Sequence, residues 1–334
     1  MERSGDKAVQ EKVCFSAHCT IMKVIRARVL GFCMGVRRAM DMADTALLQA
    51  AQLATKFPVY AMGPLIHNPQ AMEKLKSRGL KVLEEDQLPE DLETSSVIIR
   101  AHGITPDLEA ALTKRRTTLI DATCPKVKAS QLRARSLCGE GYRVFLAGER
   151  QHAEIIGIQG YAPDCIILGT PMEAVEAAGK LFSEKPNART ALIGQTTISE
   201  AEYAAIGAEI GKLFPDLCII NTICRATRDR QDSLRELCAQ VDAVIVAGGS
   251  DSANTRRLLV IAQSFEDAHG RGKPAWLVEK VEDIPSGIGA YNTLGLCAGA
   301  STPDGLIDAI EKALLEPGNI CPSALTGDML GAII

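Results

Sequence analysis

The sequence predicts an α/β protein of three pseudo-repeated lobes, each with a small parallel sheet, meeting at a common centre. Three observations predict this. Short apolar runs recur along the chain, each leading into Gly, His or Thr and then into a helical pattern. At 334 residues the chain exceeds one typical core. Three cysteines, Cys33, Cys124 and Cys224, stand in look-alike turns spaced by roughly a third of the chain.

The elements follow in order. "VIRARVL" alternates like a strand, Gly31 and Gly35 punctuate a turn around Cys33, and "VRRAMDMADTALLQAA" has helical spacing. "FPVYAMG" and "SVIIRAHG" read as the next strands. "TTLI" then gives a short buried strand, with Asp121 and Thr123 as turn and cap residues and Pro125 suited to a first helical turn. "YRVFLAGE", "DCIILG" and "TALIGQ" are further strands before "LCII", where Asn221 and Thr222 lead to Cys224 and a charged amphipathic helix. "DAVIVAGG", "PAWLVE" and "TLGLCAG" complete the set. The lobes are expected at residues 23–115, 116–220 and 221–315, with an N-terminal extension over 1–22 and a C-terminal tail over 316–334.

Composition excludes several classes. The chain is 46% apolar, 23% charged and only 4% aromatic, with a formal charge of −4, which argues against nucleic acid or an anionic membrane as partner. No uncharged run approaches the roughly 20 residues a membrane span needs. The N-terminus lacks a signal-peptide apolar core, so a cytoplasmic protein is expected. The first 22 residues are polar and unpatterned, and Met22 is a candidate true start.

Eleven cysteines occur, scattered and without a CxxC pair, which removes zinc ribbons and thioredoxin-type motifs. Most read as small buried hydrophobes. In parallel sheets ligands gather at the carboxyl ends of strands, so three lobes turned inward would bring Cys33, Cys124 and Cys224 together. Soft thiolates from distant segments suit an iron–sulfur cluster better than structural zinc, which commonly uses four ligands in close pairs. Three unrelated buried thiols are the other reading of the spacing.

Three of the five histidines, His67, His102 and His152, sit in turns after apolar runs and suit anion binding; His18 and His269 read as surface residues. Glu154 stands two residues after His152, as a proton donor if burial raises its pKa or as a helix-start acid. The clusters "GQTTISEAE", "AGGSDSANTRRL" and "CAGASTPDGLI" each follow a strand and open a helix, as phosphate cradles or as simple caps. No GxGxxG or GxxxxGK[ST] occurs. "KRRTT" and "NTRRLL" read as solvated helix faces.

Taken together, "GFCMGVRRA", "IHN", "AHG", "DATCP", "HAEIIG", "QTT", "CRATRDRQ", "SANTRRL" and "AGASTPD" resemble, in order, the motifs of the LytB/IspH family from about Val24 to Asp304. The resemblance implies one [4Fe–4S] cluster per chain, ligated by Cys33, Cys124 and Cys224. It implies an allylic diphosphate substrate, 4-hydroxy-3-methylbut-2-enyl diphosphate, bound through His67, His102, His152, Thr196, Ser252, Asn254 and Ser301. The diphosphate would lie on His67 and His102, with Ser252, Asn254 and Ser301 completing its pocket, and His152 and Thr196 nearer the hydroxymethyl end. Glu154 would relay the proton. The implied reaction is reductive dehydroxylation to isopentenyl and dimethylallyl diphosphates, the last step of the non-mevalonate (methylerythritol phosphate) route. Electrons would come from a ferredoxin or flavodoxin type donor. The chain departs from the family pattern at Ala153, where proline is usual, and at Ala253, where a second serine is common.

Two other functions would use the same cysteines. A Lewis-acid dehydratase or quinolinate-synthase-like enzyme would need no reductant, and the His/Glu/Thr set argues against it. An iron–sulfur sensor or carrier would usually bring a basic DNA-binding helix, and none is legible.

Overall fold

The computed structural model describes residues 22–316 apart from 53–57, 86, 90–91 and 267–269. His18, His269 and the two terminal segments therefore lie outside it, except Met22 and Glu316. Among the described residues, twelve short strands form three four-stranded parallel sheets, as expected. The first strand, β1 (Lys23–Arg26), runs into helix α1 (Met34–Gln52). One sheet holds β2 (Val59–Met62), β3 (Leu80–Leu83), β4 (Ser96–Ile99) and β5 (Thr118–Asp121), in the order β3-β2-β4-β5. The next holds β6 (Arg143–Ala147), β7 (Ile166–Leu168), β8 (Thr190–Gly194) and β9 (Cys218–Ile219), in the order β7-β6-β8-β9. The last holds β10 (Ala243–Ala247), β11 (Ala275–Val278) and β12 (Thr293–Ala298), with β1 on its rim, in the order β11-β10-β12-β1.

These orders are one pattern. Within each lobe the second strand lies outermost, then the first, the third and the fourth. The third lobe obeys the pattern only because β1 supplies its fourth strand, pairing in parallel with β12 from Lys23 opposite Thr293 to Arg26 opposite Leu296. This corrects the boundaries drawn from the sequence. Residues 23–26 belong to the third sheet, and β5 belongs to the first sheet through its pairing with β4. The physical reason is that a strand's apolar pattern marks it as a strand without naming its partner, and here the partner lies at the other end of the chain.

Alternation along the central strands buries both faces of each sheet. In β6, Phe145 and Ala147 enter one apolar cluster while Val144 and Leu146 enter the opposite one. In β10, Ala243, Ile245 and Ala247 alternate in the same way with Val244 and Val246. Helices cover both faces, the arrangement parallel sheets require. β3 was not legible in the sequence; it is a four-residue run, LKVL, entered through Gly79 at φ 104°, a backbone state that favours glycine. Among the described residues no helix is long and apolar enough to cross a membrane.

Candidate active site

The pattern of strands fixes the pattern of loops. First strands run into helices α2 (Pro69–Ser77), α5 (Ala153–Tyr161) and α9 (Ala253–Gln263). Third strands run into α3 (Pro106–Lys114), α7 (Glu200–Gly211) and α10 (Asp304–Leu315). Fourth strands run into α4 (Pro125–Gly139), α8 (Arg225–Cys238) and α1. All nine of these strand-to-helix turns line one cavity. The first-strand turns bring His67, His152 with Glu154, and Ser252 with Asn254; the third-strand turns bring His102, Thr196 and Ser301; the fourth-strand turns bring the three cysteines. Every site residue expected from the sequence therefore faces the same space. This is the carboxyl-end geometry of open α/β sheets, used three times.

The cysteine turns are built alike. The N–H of Cys33 donates to the Ala300 carbonyl (3.1 Å), that of Cys124 to Ala101 (2.9 Å) and that of Cys224 to Thr196 (2.9 Å). Each bond ties a fourth-strand turn to the third-strand turn of the same lobe. Cys124 and Cys224 are the N-caps of α4 and α8, and Cys33 directly precedes α1, its carbonyl accepting the Arg37 N–H at 2.9 Å. A thiolate at such a position gains from the helix dipole and the free first-turn N–H groups. At Cys124, burial pushes the thiol pKa up, the Lys126 and Val127 N–H groups pull it down, and the neighbouring Cys33 and Cys224 push it further up. Gly35 lets the first lobe's cysteine close on α1: a Cβ there would lie 2.6 Å from Cys124 Sγ.

The three histidines form a cluster, with ring centroids 4.7 Å (His67 to His102), 5.7 Å (His67 to His152) and 5.2 Å (His102 to His152) apart. One nitrogen from each ring lies within 4.8 Å of those from the other two. Burial holds all three below the ordinary histidine pKa, helped at His67 by Arg100 and at His102 by the other two rings; His152 is pushed down to about 3. The rings are thus neutral near pH 7. His152 Nδ1 caps α5 by accepting the Glu154 N–H at 3.2 Å, which leaves Nε2 to carry the ring proton. His67 Nε2, His102 Nδ1 and Asn254 Nδ2 are buried without a hydrogen-bond partner. Orphaned polar atoms converging on a cavity are what a polar ligand would satisfy. The Ser301 hydroxyl donates to the His67 carbonyl at 3.0 Å, joining the third lobe to the first.

Glu154 is 1% exposed, and Thr196 binds both its oxygens: the backbone N–H at Oε1 (2.6 Å) and the hydroxyl at Oε2 (2.9 Å). Burial raises its pKa to about 7, against the opposing pull of the Thr196 hydrogen bonds and Arg257. A buried carboxyl poised near neutrality can deliver a proton.

Sequence reasoning missed several contributors. Thr197 lines the cavity, and its hydroxyl accepts from Gln195 Nε2 at 2.9 Å. Arg257, read as part of a solvated face, is mostly buried and joins lobes: it pairs with Glu149 at 3.1 Å and Glu202 at 3.4 Å. Arg256 binds the other Glu149 oxygen at 2.6 Å. Arg256 stays exposed as expected of a polar helix face, whereas Arg257 is turned against the second lobe. Arg230 also lines the cavity.

The LytB protein family matches residues 24–315, nearly all of the described chain. The chain belongs to that family. It is 45% identical to the 4-hydroxy-3-methylbut-2-enyl diphosphate reductase of Treponema denticola, over 88% of this chain and 100% of that protein. It is 36% identical to the reductase of the same name from Aquifex aeolicus, over 91% of this chain and 99% of that protein. Among solved structures, the E-1-hydroxy-2-methyl-but-2-enyl-4-diphosphate reductase of Plasmodium falciparum superposes with a TM-score of 0.77 at 28% identity, covering 90% of each chain. A second, (E)-4-hydroxy-3-methyl-but-2-enyl diphosphate reductase, described as the terminal enzyme of the non-mevalonate pathway, gives 0.62 at 35% identity, covering 88% of this chain and 99% of that one. The LytB match spans all nine cavity turns, so fold, family and site coincide along the chain.

Proposed function

We propose that this LytB-family chain reduces 4-hydroxy-3-methylbut-2-enyl diphosphate to isopentenyl and dimethylallyl diphosphates, closing the non-mevalonate route to isoprenoid precursors. The observation that carries this reading is the sharing of one cavity by three cysteine turns, a neutral histidine triad and a buried acid near its neutral point. The donor set fits an iron–sulfur cluster: three soft sulfurs at helix starts, with a buried arginine beside them. Cys33, Cys124 and Cys224 would hold a [4Fe–4S] cluster. Bound there, such a cluster with only three protein ligands supplies electrons and one open Lewis-acid iron for the alcohol oxygen.

The remaining work belongs to the chain's own residues. His67, His102, Ser252, Asn254 and Ser301 hold the diphosphate, which would satisfy the orphaned nitrogens of His67, His102 and Asn254. Helix starts share the load, so a polyanion binds without a lysine cluster. His152 and Thr196 orient the hydroxymethyl end. Glu154, held by Thr196, gives its proton to the departing hydroxyl. The C–O bond breaks and water leaves; of the two protons the reduction consumes, one completes the water and the other goes to the carbon skeleton. A ferredoxin or flavodoxin type protein in the cytoplasm delivers the two electrons singly.

The test is anaerobic reconstitution with iron and sulfide, followed by spectroscopy and a reductase assay on one sample. Broad visible absorbance and alkenyl diphosphate products that depend on a chemical reductant are expected. Serine at Cys33, Cys124 or Cys224 should bleach the absorbance, whereas serine at Cys138, Cys165 or Cys238 should not. Full cluster retention in Cys124→Ser would sink the ligand assignment, and turnover without reductant would favour a Lewis-acid dehydratase instead.

A further inference from the structure

Arg230 is a buried cation with no ion-pair partner among the described residues. Its side chain projects from α8 and the residue is 2% exposed. Nη2 donates to the Gly31 carbonyl at 2.6 Å and Nη1 to the Ala226 carbonyl at 3.2 Å, while Nε is buried without a partner. Neither neighbour carries charge, and among the described residues no carboxylate forms an ion pair with this guanidinium. Burial works against its charged form, and the groups that act in its favour are three sulfurs, those of Cys33, Cys297 and Cys224. An isolated buried cation is unfavourable, and the usual remedy is an anion nearby.

The surroundings say where that anion sits. Gly31 stands two residues before Cys33, and its φ of 78° belongs to the left-handed region open to glycine. The turn carrying Cys33 is thus hydrogen-bonded to the arginine, and Cys224 opens the helix that bears it. The guanidinium lies on the cysteine side of the cavity, and no histidine figures among the groups that act on it.

We propose that Arg230 is the built-in counter-charge of the cluster and raises its reduction potential. This rests on the reading that the three cysteines hold the cluster. Thiolate ligation by three cysteines makes a [4Fe–4S] centre anionic, and taking up one electron adds another negative charge. A fixed positive charge close by, in a medium of low dielectric, favours the reduced form. Arg230 needs no contact with substrate to do this; it acts through the charge it places beside Cys33 and Cys224.

The test is a spectroelectrochemical titration of the reconstituted parental protein, Arg230→Gln and Arg230→Lys, with iron and sulfide content measured on each. Arg230→Gln removes the charge and keeps a donor for Gly31; at a fixed potential its ratio of reduced to oxidised cluster should fall roughly tenfold, or ~59 mV for one electron. Arg230→Lys keeps the charge and should stay near the parental midpoint. Loss of the cluster from Arg230→Gln but not from Arg230→Lys would equally show that the charge is required. A fully loaded Arg230→Gln with an unmoved midpoint overturns the proposal, even if substrate affinity falls. Loss of the cluster from both variants also overturns it, leaving Arg230 as a clamp on the Gly31 turn. A parental protein that holds no cluster overturns the underlying reading of the site, and this proposal with it.

Discussion

Thr196 touches Glu154 through two atoms, and its pull opposes the burial that raises the carboxyl's pKa. The folded carboxyl titrates near 7, while an unfolded glutamate titrates near 4.5. Between those values the folded chain keeps the proton and the unfolded chain has released it. Stability from this group is therefore full below about pH 4.5 and is lost as pH rises through about 7. Glu154→Gln, neutral at every pH, should gain on the parental protein in thermal melts as pH rises from 4.5 to 8. The same variant should turn over roughly 100-fold slower or worse, because it has no proton to release. Parental turnover should itself decline as pH climbs past about 7. An unchanged rate in Glu154→Gln would move the acid elsewhere. Diphosphate donors should behave differently: His67→Ala or Asn254→Ala should weaken substrate binding by roughly 1–3 kcal/mol in anaerobic titrations that follow the cluster spectrum. Residues of this kind were readable because each sits just past an apolar run. Arg230 and Arg257 were not, since what distinguishes them is a neighbour distant in sequence.

Helices enter the site by their first turns, so the spacing between two such turns is a functional dimension. α1 and α4 meet at Gly35 and Cys124 with no room for another atom. Gly35→Ala would force the added methyl against Cys124 Sγ, an overpacking that typically costs about 1–3 kcal/mol. Relief must either swing Cys124 Sγ aside or part the two helices, and both disturb the cysteine's place. Iron and sulfide content per chain should fall well below the parental value while far-ultraviolet circular dichroism stays close to it. Normal cluster content in that variant would mean the contact is slack. At this scale the sequence was informative about helix starts, because turn and cap residues mark them locally. It was silent about what each helix face meets, and so Arg257 of "NTRRLL" was misread.

Across the whole molecule, three copies of one strand order surround one cavity, and the ring is closed by a strand from the far end of the chain. Number and kind of sheets were legible from the recurring apolar runs. Membership at the seam was not, because β1 looks like the start of a lobe and is the end of another. Met22, 3% exposed, packs into the third lobe's apolar cluster just ahead of β1. A chain beginning at Met22 should keep its cluster and activity, whereas one beginning at Ala27 should lose both while its first two sheets persist. Equal performance of the two would show that the closing strand is dispensable.

The closing strand also separates the order of synthesis from the order of assembly. β1 is among the first described segments to leave the ribosome, and β12, its one partner among the described strands, is the last of them to be made. Until residues 293–298 emerge, β1 has no ladder to join and the Cys33 N–H lacks the Ala300 carbonyl. The sheets of the first two lobes, whose strands are contiguous, can form as they appear. In a chain stalled before residue 293, Cys33 should react with alkylating reagent as a free thiol, and the stalled complex should take up no iron and sulfide. On the proposed ligand set, a metal centre could then assemble only after β12 is made, since Cys33 waits, unengaged, until that strand and Ala300 have emerged.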